Sequence, residues 1–255
     1  MFVNIKDKYY GDRLALKNIQ LHFPKGTTNL IIGTSGAGKS TLTKCIIGAA
    51  NFNGNISDYQ MEDIGYVPQF PTLNTMETAE DALYWSALFS RQYPSRKASH
   101  QAARELLEMM GLIGEKDSQI KYLSGGQKQR VSVAKELIRK KDIIIADEID
   151  TGLDAGVSRI LIKNLSNITH SQRKTTIVIS HNLSNMHLFD NAVVLVRDSN
   201  GTGRIAYSGS VTGMKSFFDT EDYVDILVKL NSPSEGGLGM ADTYIKKFDS
   251  KMNRR

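Results

Sequence analysis

The sequence predicts an α/β fold built around a mainly parallel sheet. Three observations carry that expectation. Continuous apolar runs recur at Leu30-Ile31-Ile32, Ile143-Ile144-Ile145-Ala146, Thr175–Ser180 and Ala192-Val193-Val194-Leu195-Val196. Strands without polar alternation are what a sheet covered on both faces requires. Segments of helical pattern, 40–48 and 157–168, lie between these runs, and strands alternating with helices make the crossovers of a parallel sheet. A glycine-rich segment joins the first run to the first helix.

The elements follow in order. Leu30–Ile32 enters the glycine-rich loop, and Ser40–Ile47 reads as a helix closed by Gly48. Ile64-Gly65-Tyr66-Val67 reads as a short strand ended by Pro68. Residues 76–138 carry no strand pattern. There Lys97–Met110 sets Ala98, Ala102, Ala103, Leu106, Leu107 and Met110 on one face, with Gly111 as the stop, and a second helix fits 126–140. This span is expected to be a helical insert. Strands return at 142–146, 175–180 and 192–196, with a late β segment at Arg204–Tyr207. Asn231–Gly237 is a loop, and 241–255 is an amphipathic tail helix ending in Arg254-Arg255, its lysines expected in solvent. No internal repeat or heptad run is present.

Composition excludes several classes. The chain has 255 residues, 40% hydrophobic and 23% charged, which suits one large domain or two intimate lobes with a core of their own and not a disordered segment. A single cysteine, Cys45, excludes an intrachain disulfide. No apolar run approaches the ~20 residues of a membrane span, and Met1–Lys8 lacks the apolar stretch of a signal peptide. The chain is therefore expected to be soluble and cytoplasmic, with any membrane role exerted through a partner. The net charge of +5 permits nucleic acid or an anionic surface but demands neither.

Three motifs carry chemistry. Gly33-Thr34-Ser35-Gly36-Ala37-Gly38-Lys39-Ser40 matches G-x-x-x-x-G-K-S/T between a strand and a helix. Its glycines let backbone N–H groups turn toward phosphate oxygens, and the helix adds its positive end. Lys39 reaches the β- and γ-phosphates, and the Ser40 hydroxyl is a ligand for Mg²⁺. Ile143–Ala146 ends in Asp147-Glu148. Asp147 suits the Mg²⁺ position beside a phosphate loop, and Glu148 can orient or deprotonate an attacking water. Leu123-Ser124-Gly125-Gly126-Gln127 opens a helix. It presents a hydroxyl and free N–H groups to an anion, or it is a plain helix cap by Ser124.

A phosphate loop, then LSGGQ, then a hydrophobic strand ending in Asp-Glu resembles the nucleotide-binding subunit of an ABC transporter over residues 2–218. The resemblance implies the ABC ATPase fold: a P-loop NTPase core with a mainly parallel sheet, an N-terminal antiparallel β subdomain and a helical insert. It divides the chain into one domain, 1–230, with core segments 1–75 and 139–218 around a helical subdomain, 76–138, followed by a C-terminal loop and tail helix, 231–255.

The resemblance also assigns roles. Gly33 to Thr41 would cradle the phosphates of ATP, and Tyr10, with Tyr9 as a competitor, would stack on adenine. Ser40, Gln69 and Asp147 would hold Mg²⁺. Glu148 would be the base, helped by Gln69 and by His181, which contacts the γ-phosphate. Ser124, Gly125, Gly126, Gln127 and Asp154 would reach ATP bound on a second nucleotide-binding subunit, in a homodimer or a heterodimer. Separate transmembrane permease subunits are the implied partners, which places the chain at the inner face of the membrane. No nucleic acid is expected; the alternative is a soluble ABC-type ATPase acting on nucleic acid or ribosomes. Phe70–Leu73 with Glu77, Lys128–Leu137 and Gly203–Phe218 resemble the G-type, lipid- and drug-exporting branch, which implies export. After Glu148 the family usually has Pro-Thr-Ser, where this chain has Ile149-Asp150-Thr151.

Overall fold

The computed structural model describes residues 1–252. Its elements are β1 (Phe2–Tyr10), β2 (Arg13–His22), β3 (Thr28–Gly33), α1 (Lys39–Ile46), β4 (Asn53–Ser57), β5 (Ile64–Val67), α2 (Ala79–Ser90), α3 (Arg96–Met109), α4 (Gly125–Leu137), β6 (Ile143–Asp147), α5 (Ala155–Ser171), β7 (Thr175–Ile179), β8 (Asn191–Arg197), β9 (Gly203–Ser210), α6 (Val211–Phe218), α7 (Tyr223–Leu230) and α8 (Ala241–Met252). The strands form one sheet in the order β4-β1-β2-β9-β8-β3-β7-β6-β5.

Two regimes meet in that sheet. From β8 through β3, β7 and β6 to β5 every pairing is parallel. Every residue of β3 and β7 is buried, as apolar runs covered on both faces must be. At the other end β4, β1 and β2 pair antiparallel, and β9 joins them to β8. The mainly parallel α/β core with an N-terminal antiparallel part is therefore as the resemblance implied. β1 buries Val3 and Ile5, then shifts register between Lys8 and Tyr9.

All five parallel strands end on one side, and their exits carry Gly33, Val67, Asp147, Ile179 and Arg197. Ligands in such sheets lie beyond these carboxyl ends. The helices of the insert are side-chain capped. Thr78 accepts from the Asp81 N–H and Ser95 from the Ala98 N–H. Ala103 and Leu107 on α3, and Met110 directly after it, are buried. On α4, Gln129 donates to the Pro68 carbonyl at the β5 exit, which ties the insert to the core.

The tail helix is part of the core. Tyr244, Ile245 and Phe248 are buried, and Tyr244 donates to the Phe218 carbonyl with the two rings 4.7 Å apart. Lys246, Lys247 and Lys251 are exposed, in line with the expectation of solvated tail lysines, and Lys247 also donates to the Phe217 carbonyl and lies over the Phe217 ring. Its aliphatic stem favours that apolar cover. Arg254 and Arg255 lie outside the described residues. No helix among the described residues is long and apolar enough to cross a membrane.

Candidate functional site

The loop from Gly33 to Lys39 is shaped by two close approaches. A Cβ on Gly33 would stand 1.9 Å from the Leu195 carbonyl oxygen of β8. Gly38 has φ +94° and a Cβ there would lie 2.6 Å from Leu16 Cδ2. Any side chain would push the loop off its neighbours, and the left-handed φ favours glycine. The loop delivers Lys39 into a nearly buried position, 7% exposed. Its Nζ donates to the Gly33 and Thr34 carbonyls at 3.0 and 3.1 Å. Burial lowers the Lys39 pKa below its ordinary value, and the charges of Glu148 and Asp147 oppose that shift.

These residues fit a triphosphate. The N-terminus of α1 has no side-chain cap and no acidic residue in its first turn, so its N–H groups face outward unpaired. Thr34 Oγ1 is buried without a hydrogen-bond partner. Such an orphan is unusual among buried polar groups and leaves a hydroxyl free to donate.

Asp147 closes β6. Burial raises its pKa, Tyr66 lowers it by donating at 3.3 Å, and the nearby Glu148 charge raises it again. Burial pushes the Tyr66 phenol up to about 12, with the Asp147 charge adding to the effect. Among the described residues no group of three or more His, Cys, Asp or Glu could hold a metal alone. A hydroxyl, an amide oxygen and one carboxylate instead suit Mg²⁺, which takes one or two carboxylates plus substrate phosphates and water. Ser40, Gln69 and Asp147, the residues expected to hold Mg²⁺, carry those three kinds of donor.

The next residue is conformationally unusual. Glu148 has φ +49°, a left-handed backbone that costs about 1–3 kcal/mol outside glycine. Its N–H donates to the Ile179 carbonyl at 2.8 Å, and its own carbonyl accepts from the Thr151 N–H. Its two carboxylate oxygens are held separately: Gln69 Nε2 donates to Oε2 at 2.7 Å, and His181 Nε2 lies 3.0 Å from Oε1. Two expected catalytic side chains, from the exits of β5 and β7, thus converge on the carboxylate of the third, at the exit of β6.

Tyr10 is exposed at the end of β1, and the Lys8 ammonium lies 4.3 Å from its ring centroid. Lys8 is buried and close enough to Cys45 on α1 to oppose the burial that raises the thiol pKa. The cation–π contact places Tyr10, and not Tyr9, beside Lys8.

The LSGGQ segment stands apart. Ser124 caps α4: its Oγ accepts from the Gln127 N–H at 3.2 Å, and Gln127 Oε1 accepts from the Ser124 N–H at 2.8 Å. Gln127 also donates to Glu115. Asp154 caps α5 through the Val157 N–H. Among the described residues, none of these bonds reaches the phosphate loop. Gly126 lies against Leu153, whose Cδ2 would be 2.8 Å from a Cβ there, so the two segments pack together within the chain. The sequence reading missed Tyr66 and the buried pair Asp150–Ser180, described below; no local motif marks either.

Residues 16–151 match the family described as ABC transporter, and the chain belongs to that family as an ATP-binding subunit, an ABC-type ATPase. The methionine import ATP-binding protein MetN of Campylobacter jejuni is 29% identical over 96% of this chain and 83% of that protein. The phosphonates import ATP-binding protein PhnC 2 of a Nostoc species is 29% identical over 84% of this chain and 94% of that protein. The ABC transporter G family member 1 of Dictyostelium discoideum is 31% identical over 87% of this chain but 30% of its own length. A dimeric structure of the ATP-binding cassette MJ0796 in a post-hydrolysis state, bound to ADP and Pi, superposes with a TM-score of 0.69 at 24% identity, over 82% of this chain and 97% of that one. The ATP-binding subunit of an ABC transporter gives a TM-score of 0.73 at 22% identity, over 89% of this chain and 96% of that one. Both show the fold. Two of these three relatives carry import in their names and one the G family. The leaning toward the G-type branch is therefore not carried by the comparisons, nor is the alternative of an ATPase acting on nucleic acid or ribosomes.

Proposed function

We propose that this chain binds ATP with Mg²⁺ at the Gly33–Thr41 loop and hydrolyses it between two nucleotide-binding subunits, driving transport through separate membrane permeases. The observation that carries the reading is the Glu148 carboxylate, held by Gln69 and His181 beside the phosphate loop. Each carboxylate oxygen has two lone-pair sites, so a water can still be accepted there and give up its proton to Glu148 as it attacks the γ-phosphorus. The bond to the ADP leaving oxygen breaks as the bond from water forms.

Lys39 has a distinct part. Its ammonium rests on the Gly33 and Thr34 carbonyls and exchanges these for phosphate oxygens, a charge-assisted contact roughly twice as strong as a neutral one. Ser40, Asp147 and Gln69 would hold Mg²⁺, which would supply neutralisation of phosphate charge when bound. Ser124, Gly125, Gly126 and Gln127 make their contacts away from the loop of their own chain, which supports their serving a second subunit in a head-to-tail pair. Tyr10 stacks on adenine.

The chain works at the cytoplasmic face of the membrane through its permease partner. The G-type features favour export and the import relatives favour import. The site handles only ATP, and direction and cargo belong to the permease. Phosphate release from ATP by the purified chain tests the reading: it should require Glu148 and Mg²⁺, and turnover independent of Glu148 would overturn it.

A further inference from the structure

Asp150 is 7% exposed, two residues past Glu148, and among the described residues no cation lies within ion-pair distance of it. The Ser180 hydroxyl lies 2.9 and 2.8 Å from its two carboxylate oxygens and accepts the Asn182 N–H at 2.9 Å. Ser180 directly precedes His181, which contacts Glu148. Two short chain segments and two side-chain contacts therefore close a ring: Glu148 through buried Ile149 to Asp150, across to Ser180, on to His181, and back to Glu148.

Glu148 sits in a left-handed backbone that a non-glycine residue leaves unless its surroundings over-determine it. His181 is exposed, beyond the end of β7, so without a lock its ring is free to turn away. Asp150 supplies that lock from below. Its buried carboxylate repels the Glu148 charge beside it, a disadvantage that a neutral side chain would avoid.

We propose that Asp150 is a positioning residue for hydrolysis: by fixing Ser180 it sets the β7 exit, and so keeps His181 on Glu148 in the geometry that the reaction needs. The inference rests on the reading of Glu148 as the base and goes beyond it by assigning a group that touches neither ATP nor water.

The test is steady-state ATP hydrolysis with Asp150→Ala, Asp150→Asn, Ser180→Ala and the double variant Asp150→Ala/Ser180→Ala, with Glu148→Gln as control. Misplaced catalytic groups cost roughly ten- to a hundredfold, so Asp150→Ala and Ser180→Ala should each lower kcat by that order, with KM for ATP within about twofold. Asp150→Asn keeps an oxygen acceptor for the Ser180 hydroxyl and should restore most of kcat. The double variant should be no worse than either single one, because both remove one contact. Wild-type kcat in Asp150→Ala, failure of Asn to rescue, or additive losses would overturn the proposal. If Asp150→Ala does not fold, Ser180→Ala and Asp150→Asn decide on the same criteria. Full turnover in Glu148→Gln would instead strike at the underlying reading of the site.

Discussion

Glu148→Gln separates the chemistry of the site from its architecture. The variant keeps the shape of the side chain and loses one charge and the ability to take a proton. In the wild-type chain the two oxygens accept from His181 at 3.0 Å and Gln69 at 2.7 Å. The oxygen of the substituted amide can stay on His181, and its nitrogen can meet the Gln69 amide turned end for end. Two charge-assisted contacts become neutral ones, a change of about 1 kcal/mol each at most. For a chain of this size that corresponds to a fall of roughly 2–8 °C in Tm. Removing a general base costs about 10²–10⁴-fold in rate, or ~2.7–5.4 kcal/mol of barrier. The assay is phosphate release at saturating ATP, with circular dichroism melts of the same preparations. Turnover should fall at least about a hundredfold while the fold persists. Turnover within about threefold of wild type would refute the assignment, since no base costs so little to remove.

Lys39→Ala removes the one buried ammonium of the loop. It should weaken ATP binding by about a hundredfold or more in equilibrium dialysis, equivalent to roughly 3 kcal/mol from lost charged contacts. Gly38→Ala forces a Cβ toward Leu16 in a left-handed backbone; it should lower stability by about 1–3 kcal/mol and ATP affinity with it, read by thermal melts with and without nucleotide. Asp190 supplies a pH test. Burial raises its pKa, but the Thr28 N–H, His170 and the Thr28 hydroxyl together hold the carboxyl below its usual value. A depressed folded pKa gives stability that is present above the unfolded value and lost as pH falls through the folded one. The Tm gap between wild type and Asp190→Ala should therefore be wide near neutrality and narrow below about pH 4; a gap that widens in acid would contradict the sign.

The parallel core was legible because its signals are local. β3, β6 and β7 have no polar alternation, and the phosphate loop is a contiguous motif. β1, β2 and β4 were implied only by the resemblance and not by residue pattern, because Phe2–Tyr10 and Arg13–His22 mix charges with apolar residues and Asn53–Ser57 is nearly all polar. Their pairing, and not their composition, makes them strands. α6 and α7 were unread for a similar reason: each is eight residues long and too short for a helical period to declare itself. In the site, Glu148 was readable from its place after Asp147 at the end of a buried strand, and Gln69 and His181 came from the family resemblance, but their meeting followed from neither. Gln69 and Tyr66 reach their partners across 79 and 81 residues, and only the register of β5 against β6 brings them there. Ser124 shows the reverse: both readings offered by its sequence hold a place, since within one chain it is a helix cap and its proposed nucleotide contact needs a second.

That second chain is the central claim, and mixing two inactive variants tests it most directly. Lys39→Ala breaks the phosphate loop and keeps Ser124; Ser124→Arg breaks the signature and keeps Lys39. Each alone should lack ATPase activity. In a head-to-tail pair the mixed dimer has one site with both defects and one with neither, so an equimolar mixture should regain about a quarter of wild-type turnover per chain. A mixture as inactive as its components would contradict a site shared between two copies.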